Sequence, residues 1–132
     1  MKKLEVYNLS DALHIIKENK TEVDYYLFNE YEIHLNKIPP NTVQEWHYHS
    51  LIEEVILVVK GKLRCLWLEN KQKHSRIIHE KELVRVKQSI HTLVNDSSED
   101  CEFIVFRLIL DGKNKRNIIK KDKKIIKNIA EL

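Results

Sequence analysis

The stretch "WHYHSLIEEVILVVKG", residues 46–61, holds the side chains best suited to chemistry. His47 and His49 stand one residue apart, and Glu53 and Glu54 precede an apolar run that stops at Gly61, one of only 2 glycines in the chain. Side chains alternate faces along a strand that rises about 3.3 Å per residue, so the two imidazoles share a side roughly 6.6 Å apart along the backbone. Both can then reach one ion. If "SLI" turns the chain back as the neighbouring strand, Glu53 or Glu54 can add an oxygen. Neutral imidazoles with a carboxylate suit a divalent transition metal and leave positions open for substrate or dioxygen. Surface and hydrogen-bonded core histidines produce the same H-x-H spacing, so the pair alone does not establish a metal site.

The elements that must position these residues read mainly as strands. "EVDYYLF", "YEIHLNKI", "TVQEWHYH", "EEVILVVK", "KLRCLWLE", "SRIIHE", "ELVRVK", "HTLVN" and "CEFIVFRLIL" are rich in β-branched and aromatic residues. Breaks fall at "NE", "PPN", "KGK", "ENKQKH" and "NDSSED". Short strands at this regular spacing predict an all-β sandwich or barrel rather than alternating β and α. Helices are expected only near the ends. In "SDALHIIKENK", Ser10 and Asp11 are good caps, and Ala12, Leu13, Ile15 and Ile16 recur at helical spacing. In "NKRNIIKKDKKIIKNIAEL", Ile118, Ile125, Ile129 and Leu132 form a stripe that Asp122 interrupts, which predicts a helix packed by isoleucines or a partly frayed tail.

Continuing along the chain, Gly61 lies seven residues after Glu54, and a later block, "EKELVRVKQSIHTLVN", carries His91 and Asn95. These residues resemble the cupin superfamily. Its first motif, G-x5-H-x-H-x3,4-E-x6-G, is matched at His47, His49, Glu54 and Gly61, with Asn41 at the first glycine position. Its second, G-x5-P-x-G-x2-H-x3-N, is matched at His91 and Asn95, with Glu80, Val86 and Gln88 replacing glycine, proline and glycine. The motifs span about residues 41–95, and the strand texture extends the likeness over most of 22–110. The resemblance implies a small antiparallel double-stranded β-helix, or jelly-roll barrel, with short terminal helices. It also implies that His47, His49, Glu54 and His91 hold Mn, Fe, Zn, Ni or Cu inside the barrel, with Glu53 in reserve should a bulge shift the register. A homodimer is a further expectation from the resemblance.

Several other residues carry two readings. Arg64 and Arg107 interrupt apolar strands, and an arginine there either faces solvent or turns inward to bind a carboxylate or phosphate of a substrate. Glu45 shares the parity of His47 and His49; it can orient a histidine, act as a general base, or sit at the barrel rim. Gln44, Trp46 and Tyr48 have the opposite parity and form an outer surface that packs against another sheet or a second subunit. His14, His34, His74 and His79 have no comparable spacing and are not counted as ligands.

The bulk composition sets the remaining bounds. The 132 residues, 33% charged and 42% hydrophobic, fit one soluble domain over 1–132, with a barrel at about 22–110 and a tail at 111–132. The net charge of +3 is concentrated in that tail, where eight lysines and arginines meet only Asp111, Asp122 and Glu131. The tail lacks the interleaved aromatics of a nucleic-acid contact, so a solvated basic face is expected. No apolar run approaches a membrane span or signal peptide, and Cys65 and Cys101 read as free buried thiols, so a cytoplasmic protein is expected. The resulting expectation is a metal-dependent enzyme acting on a small polar metabolite by Lewis-acid isomerisation or dioxygen chemistry. The alternative is a cupin that binds or senses a small molecule without catalysis.

Overall fold

A computed structural model of the chain describes residues 3–131. The strands are β1 (Leu13–Ile16), β2 (Glu22–Leu27), β3 (Tyr31–Ile38), β4 (Thr42–Val43), β5 (Ile52–Lys60), β6 (Leu63–Glu69), β7 (Gln72–Ile78), β8 (Leu83–Arg85), β9 (His91–Asn95) and β10 (Cys101–Ile109). They form a six-stranded sheet, β1-β2-β3-β10-β5-β8, and a four-stranded sheet, β4-β9-β6-β7, with antiparallel pairing throughout. The architecture is all-β.

Alternation decides which residues meet between the sheets. Ile56 and Val58 of β5 and Phe103 and Val105 of β10 pack with Leu63, Cys65, Ile78 and Leu93 of the other sheet in one cluster. Full burial of such a side chain is worth about 1.5–3 kcal/mol, so this cluster is what closes one sheet on the other. Cys65 and Cys101 are free and buried in it, and burial pushes their thiols up to about 11 and about 12.

Three segments depart from the sequence expectation. The N-terminal helix is absent: Leu9–Asp11 makes one 3-10 turn, and Leu13–Ile16 runs as an edge strand on β2. The β-branched Ile15 and Ile16 suit a strand, and the β2 edge offers hydrogen bonds that a lone helical turn lacks. His14 also faces Asp24 across that pair, Nδ1 to Oδ1 at 2.7 Å. The strand expected over "TVQEWHYH" stops at Val43; beyond it His47 makes only a single bridge with His91. At the C-terminus, α1 covers only Arg116–Lys121, followed by a 3-10 turn at Ile129–Glu131. Ile118, Ile125 and Ile129 are exposed there, which is the frayed form of the expectation. Closely spaced lysines repel one another along such a helix, and Asp122 falls where the stripe needed an apolar contact. The last residue of that stripe, Leu132, lies outside the described residues.

Gly61, between β5 and β6, has φ +83°, and a Cβ placed there would stand 2.8 Å from the Asp100 carbonyl oxygen. Gly61→Ala is therefore expected to cost more than about 1 kcal/mol in a urea denaturation measurement, from left-handed backbone and steric overlap together.

Candidate metal centre

His47, His49, Glu54 and His91 each offer one ligand atom, and these atoms all lie within 4.8 Å of one another. The ring centroid of His47 stands 5.1 Å from that of His49 and 4.4 Å from that of His91. Glu54 comes from β5 and His91 from β9, so the group bridges the two sheets. His47 is held to β9 through its backbone: its N–H donates to the His91 carbonyl at 3.0 Å, and the His91 N–H donates back at 2.9 Å.

Two of the rings are oriented by carbonyl oxygens. His47 Nδ1 lies 2.8 Å from the Glu45 carbonyl, and His91 Nδ1 lies 2.9 Å from the Ser89 carbonyl. A carbonyl only accepts, so each Nδ1 carries the hydrogen and each Nε2 presents a lone pair, the form a metal requires. Burial, the largest influence, holds the His91 pKa below the ordinary histidine value, and its ring is therefore neutral at physiological pH. His91 Nε2, His49 Nε2 and Glu54 Oε2 are buried without a hydrogen-bond partner. His49 Nε2 and Glu54 Oε2 do touch as an ion pair if the ring is protonated, but their geometry is not that of a hydrogen bond. Buried polar atoms rarely remain unpaired, and a carboxylate with imidazole lone pairs around one point is the donor set of a transition-metal ion. The residues fit such an ion.

The other anticipated residues are placed as follows. Glu53 turns to the opposite face of β5, where Arg85 Nη2 donates to it at 2.8 Å and Nε makes a second contact. The side chain of Glu45 is exposed, and what it offers His47 is its backbone carbonyl. Arg64 alternates with the inward Leu63 and Cys65, and its guanidinium donates to Asp96 at 2.6 Å and Ser75 at 3.1 Å, which is the outward of its two readings. Arg107 sits directly across from Glu54 in the β5–β10 register, with Nη2 3.9 Å from Glu54 Oε2. Trp46 and Tyr48 are exposed, and His14, His34, His74 and His79 lie outside the metal group.

Sequence reasoning passed over Glu32 and His34. His34 is 4% exposed, and its Nε2 lies 2.9 Å from Glu32 Oε1. The signal was present in "YEIHL": Glu32 and His34 share a face by the same alternation that singled out His47 and His49.

No protein-family model matches the chain, and no curated protein matches its sequence. Solved structures do. A Cupin 2 conserved barrel domain protein from Salinispora arenicola is 16% identical, with a TM-score of 0.63 over 81% of this chain and 90% of that one. A predicted oxalate decarboxylase from Thermotoga maritima is 18% identical, with a TM-score of 0.66 over 80% of this chain and 100% of that one. A single-residue variant of oxalate decarboxylase from Bacillus subtilis gives 0.69 at 14% identity over 83% of this chain, which spans 31% of that longer protein. Two facing antiparallel sheets, a ligand group bridging them and these likenesses together establish that the chain has the cupin fold.

Proposed function

We propose that the protein holds one divalent transition metal (Mn, Fe, Zn, Ni or Cu) on His47, His49, Glu54 and His91, and that it is an enzyme acting on a small polar metabolite of sugar, keto or carboxylate type. The observation that carries this reading is the convergence of the four donors, with the outer nitrogens of His47 and His91 tied to carbonyls. A bound ion of this kind supplies Lewis acidity for isomerisation or, if it is iron, a site for dioxygen. The chain itself contributes orientation: the Glu45 and Ser89 carbonyls fix two rings, and Arg107 beside Glu54 offers a cation to an anionic group of the substrate. Glu45 lines an open recess with His47, which keeps it a candidate for proton transfer at the rim. A cavity of about 430 Å³, lined by Cys65, Trp67, Val84, Val86 and Ser89 but by none of the four donors, has room for a small ligand.

Two further readings accompany this one. Free, buried thiols suit a reducing cytoplasm, and no described helix is long and apolar enough to cross a membrane. The exposed Trp46, Tyr48 and Leu51 beside the centre support pairing with a second copy.

Elemental analysis of untagged protein is expected to find about one transition metal per chain, and the His47→Ala, His91→Ala double variant is expected to lose it. Iron directs the next assay to oxygen consumption, zinc or manganese to isomerase substrates. If the protein neither contains a metal nor takes up Mn, Fe, Zn, Ni or Cu, the proposal fails. A ligand that binds with no turnover in either assay class favours the non-catalytic sensor.

The adjacent carboxylates are expected to separate cleanly. Glu54→Gln should weaken metal affinity by at least about tenfold in a competitive chelator titration, whereas Glu53→Gln should leave it unchanged and lower stability instead. Arg85 holds the Glu53 pKa below the ordinary carboxylate value. That stabilisation is full above the unfolded-state pKa and disappears as pH falls through the lower folded-state pKa. Wild type and Glu53→Gln should therefore converge in melting temperature on acidification below the usual carboxylate range.

A further inference from the structure

The register of the large sheet sets three charged residues in one inward row. Glu54 on β5 pairs with Arg107 on β10, and Arg107 pairs with Glu32 on β3. Glu54 belongs to the metal centre, so Glu32 is the next carboxylate beyond the guanidinium. The neighbouring row contains His34, buried against the edge of the Tyr25 ring with centroids 4.5 Å apart. His34 Nε2 meets Glu32 Oε1 at 2.9 Å, and because an ionised carboxylate only accepts, that nitrogen carries the hydrogen. Burial, the largest influence, lowers the His34 pKa although the Glu32 hydrogen bond opposes it, and the ring N–H holds one Glu32 oxygen. The other oxygen remains to accept.

Arg107 is incompletely used. Its Nε is buried without a hydrogen-bond partner, and its Nη2 approach to Glu54, at 3.9 Å, is longer than a hydrogen bond. Arg107 and Glu32 both line an open recess of about 210 Å³ at this end of the sheet, with Glu30 at its edge and Ile52 and Ile109 among its apolar walls. A guanidinium with spare donors beside a carboxylate with a spare acceptor, in a small recess with apolar walls, matches a molecule bearing a carboxylate and a neighbouring hydroxyl.

We propose that Arg107, Glu32 and His34 form a subsite for small α-hydroxycarboxylates, in which Arg107 donates to the ligand carboxylate and Glu32 accepts from the hydroxyl. His34 is a positioning residue that acts through Glu32. The inference deepens the reading of a small-molecule site and relies on the metal only for the location of the ligand's far end. Selectivity follows from the chemistry: a ligand without the hydroxyl leaves Glu32 without its donor, and a site built around a hydrogen bond discriminates strongly against such an analogue.

The test is calorimetric titration of zinc-loaded protein with lactate and with propionate, which differ by that hydroxyl. Lactate is expected to bind more tightly by about tenfold or more. Arg107→Gln should lose at least about tenfold in lactate affinity, as removal of a charge-assisted hydrogen bond predicts. Glu32→Ala, a change at a partly exposed side chain, should erase the preference for lactate over propionate. His34→Leu should erase it too, whereas His34→Gln, which keeps an N–H donor, should retain it; a merely structural histidine would not change that ratio. Equal binding of the two acids, no binding at millimolar concentration, or an Arg107→Gln variant that binds lactate as wild type does would overturn the subsite. Zinc titration of the same variants keeps the two proposals apart: intact zinc uptake with no lactate binding refutes this one alone. If the wild type takes up none of Mn, Fe, Zn, Ni or Cu, the metal reading fails, and the lactate series on metal-free protein decides the subsite by itself.

Discussion

The polar interior of this barrel depends on the antiparallel register of β10, which is hydrogen-bonded to β3 on one side and β5 on the other. Phe103 opposite Val58 and Asn36, and Val105 opposite Ile56 and His34, keep the apolar residues facing inward. The same register then places Arg107 between Glu54 and Glu32. Side chains repeat every second residue, so a slip of one position would turn Glu54 outward and bring Glu53 among the histidines. The Glu53–Arg85 pair on the opposite face opposes that slip, because Glu53 moved inward would lose its guanidinium. Packing inside and an ion pair outside thus specify one register.

Much of the centre was legible in the sequence, but not for the reason first given. Strict alternation along a strand was expected to align His47 and His49, yet residues 44–51 are not a regular strand. They converge because the loop is tied to β9 and the turn before it. Gln44 N–H donates to the Leu93 carbonyl at 2.9 Å, Thr92 Oγ1 donates to the Gln44 carbonyl at 2.6 Å, and Gln88 Nε2 donates to the Ser50 carbonyl at 3.2 Å. These are long-range pairings that no local pattern announces. Residues 10–20 were misread for the opposite reason: apolar residues at helical spacing exist there, but the edge of β2 offered a better partner than a single turn could. His34 was set aside as a non-ligand and Glu32 was not considered, because the alternation that puts them on one face of β3 does not show that the β3–β10 register sets Glu32 opposite Arg107.

The departures from the cupin motifs also have a physical account. Asn41 stands at the first glycine position and takes φ 56°, in the left-handed region that asparagine tolerates better than most residues. In the second motif the glycines are gone, yet the chain still makes its left-handed turns at Lys81 and Lys87, with φ 69° and 51°. Such residues cost about 1–2 kcal/mol each, so neighbouring contacts must offset them. Glu80 accepts from the Gly61 N–H at 3.1 Å, and Gln88 reaches Ser50, so the residues that replaced glycine fasten the loops by side-chain hydrogen bonds. Asn95, fully buried, donates to the carbonyls of Ile38 and Glu99 and accepts from Ser97. Its conventional place in the motif is therefore a structural one, closing the turn before β10.

The remaining question is why a fold this small retains so many polar groups inside. An unpaired buried donor or acceptor costs about 1–3 kcal/mol, and His91 contributes one such atom beside a point where His49 and Glu54 have only each other, without a hydrogen bond. Apolar residues of similar size would relieve that cost and pack as well or better if only a scaffold were needed. The rings of His47 and His91 are instead held so that their lone pairs point inward, and Arg107 is kept beside Glu54 with a buried nitrogen unused. A divalent cation would satisfy the first set of groups and an anionic ligand the second. The two sets are adjacent in space, and the charges that would satisfy them are opposite.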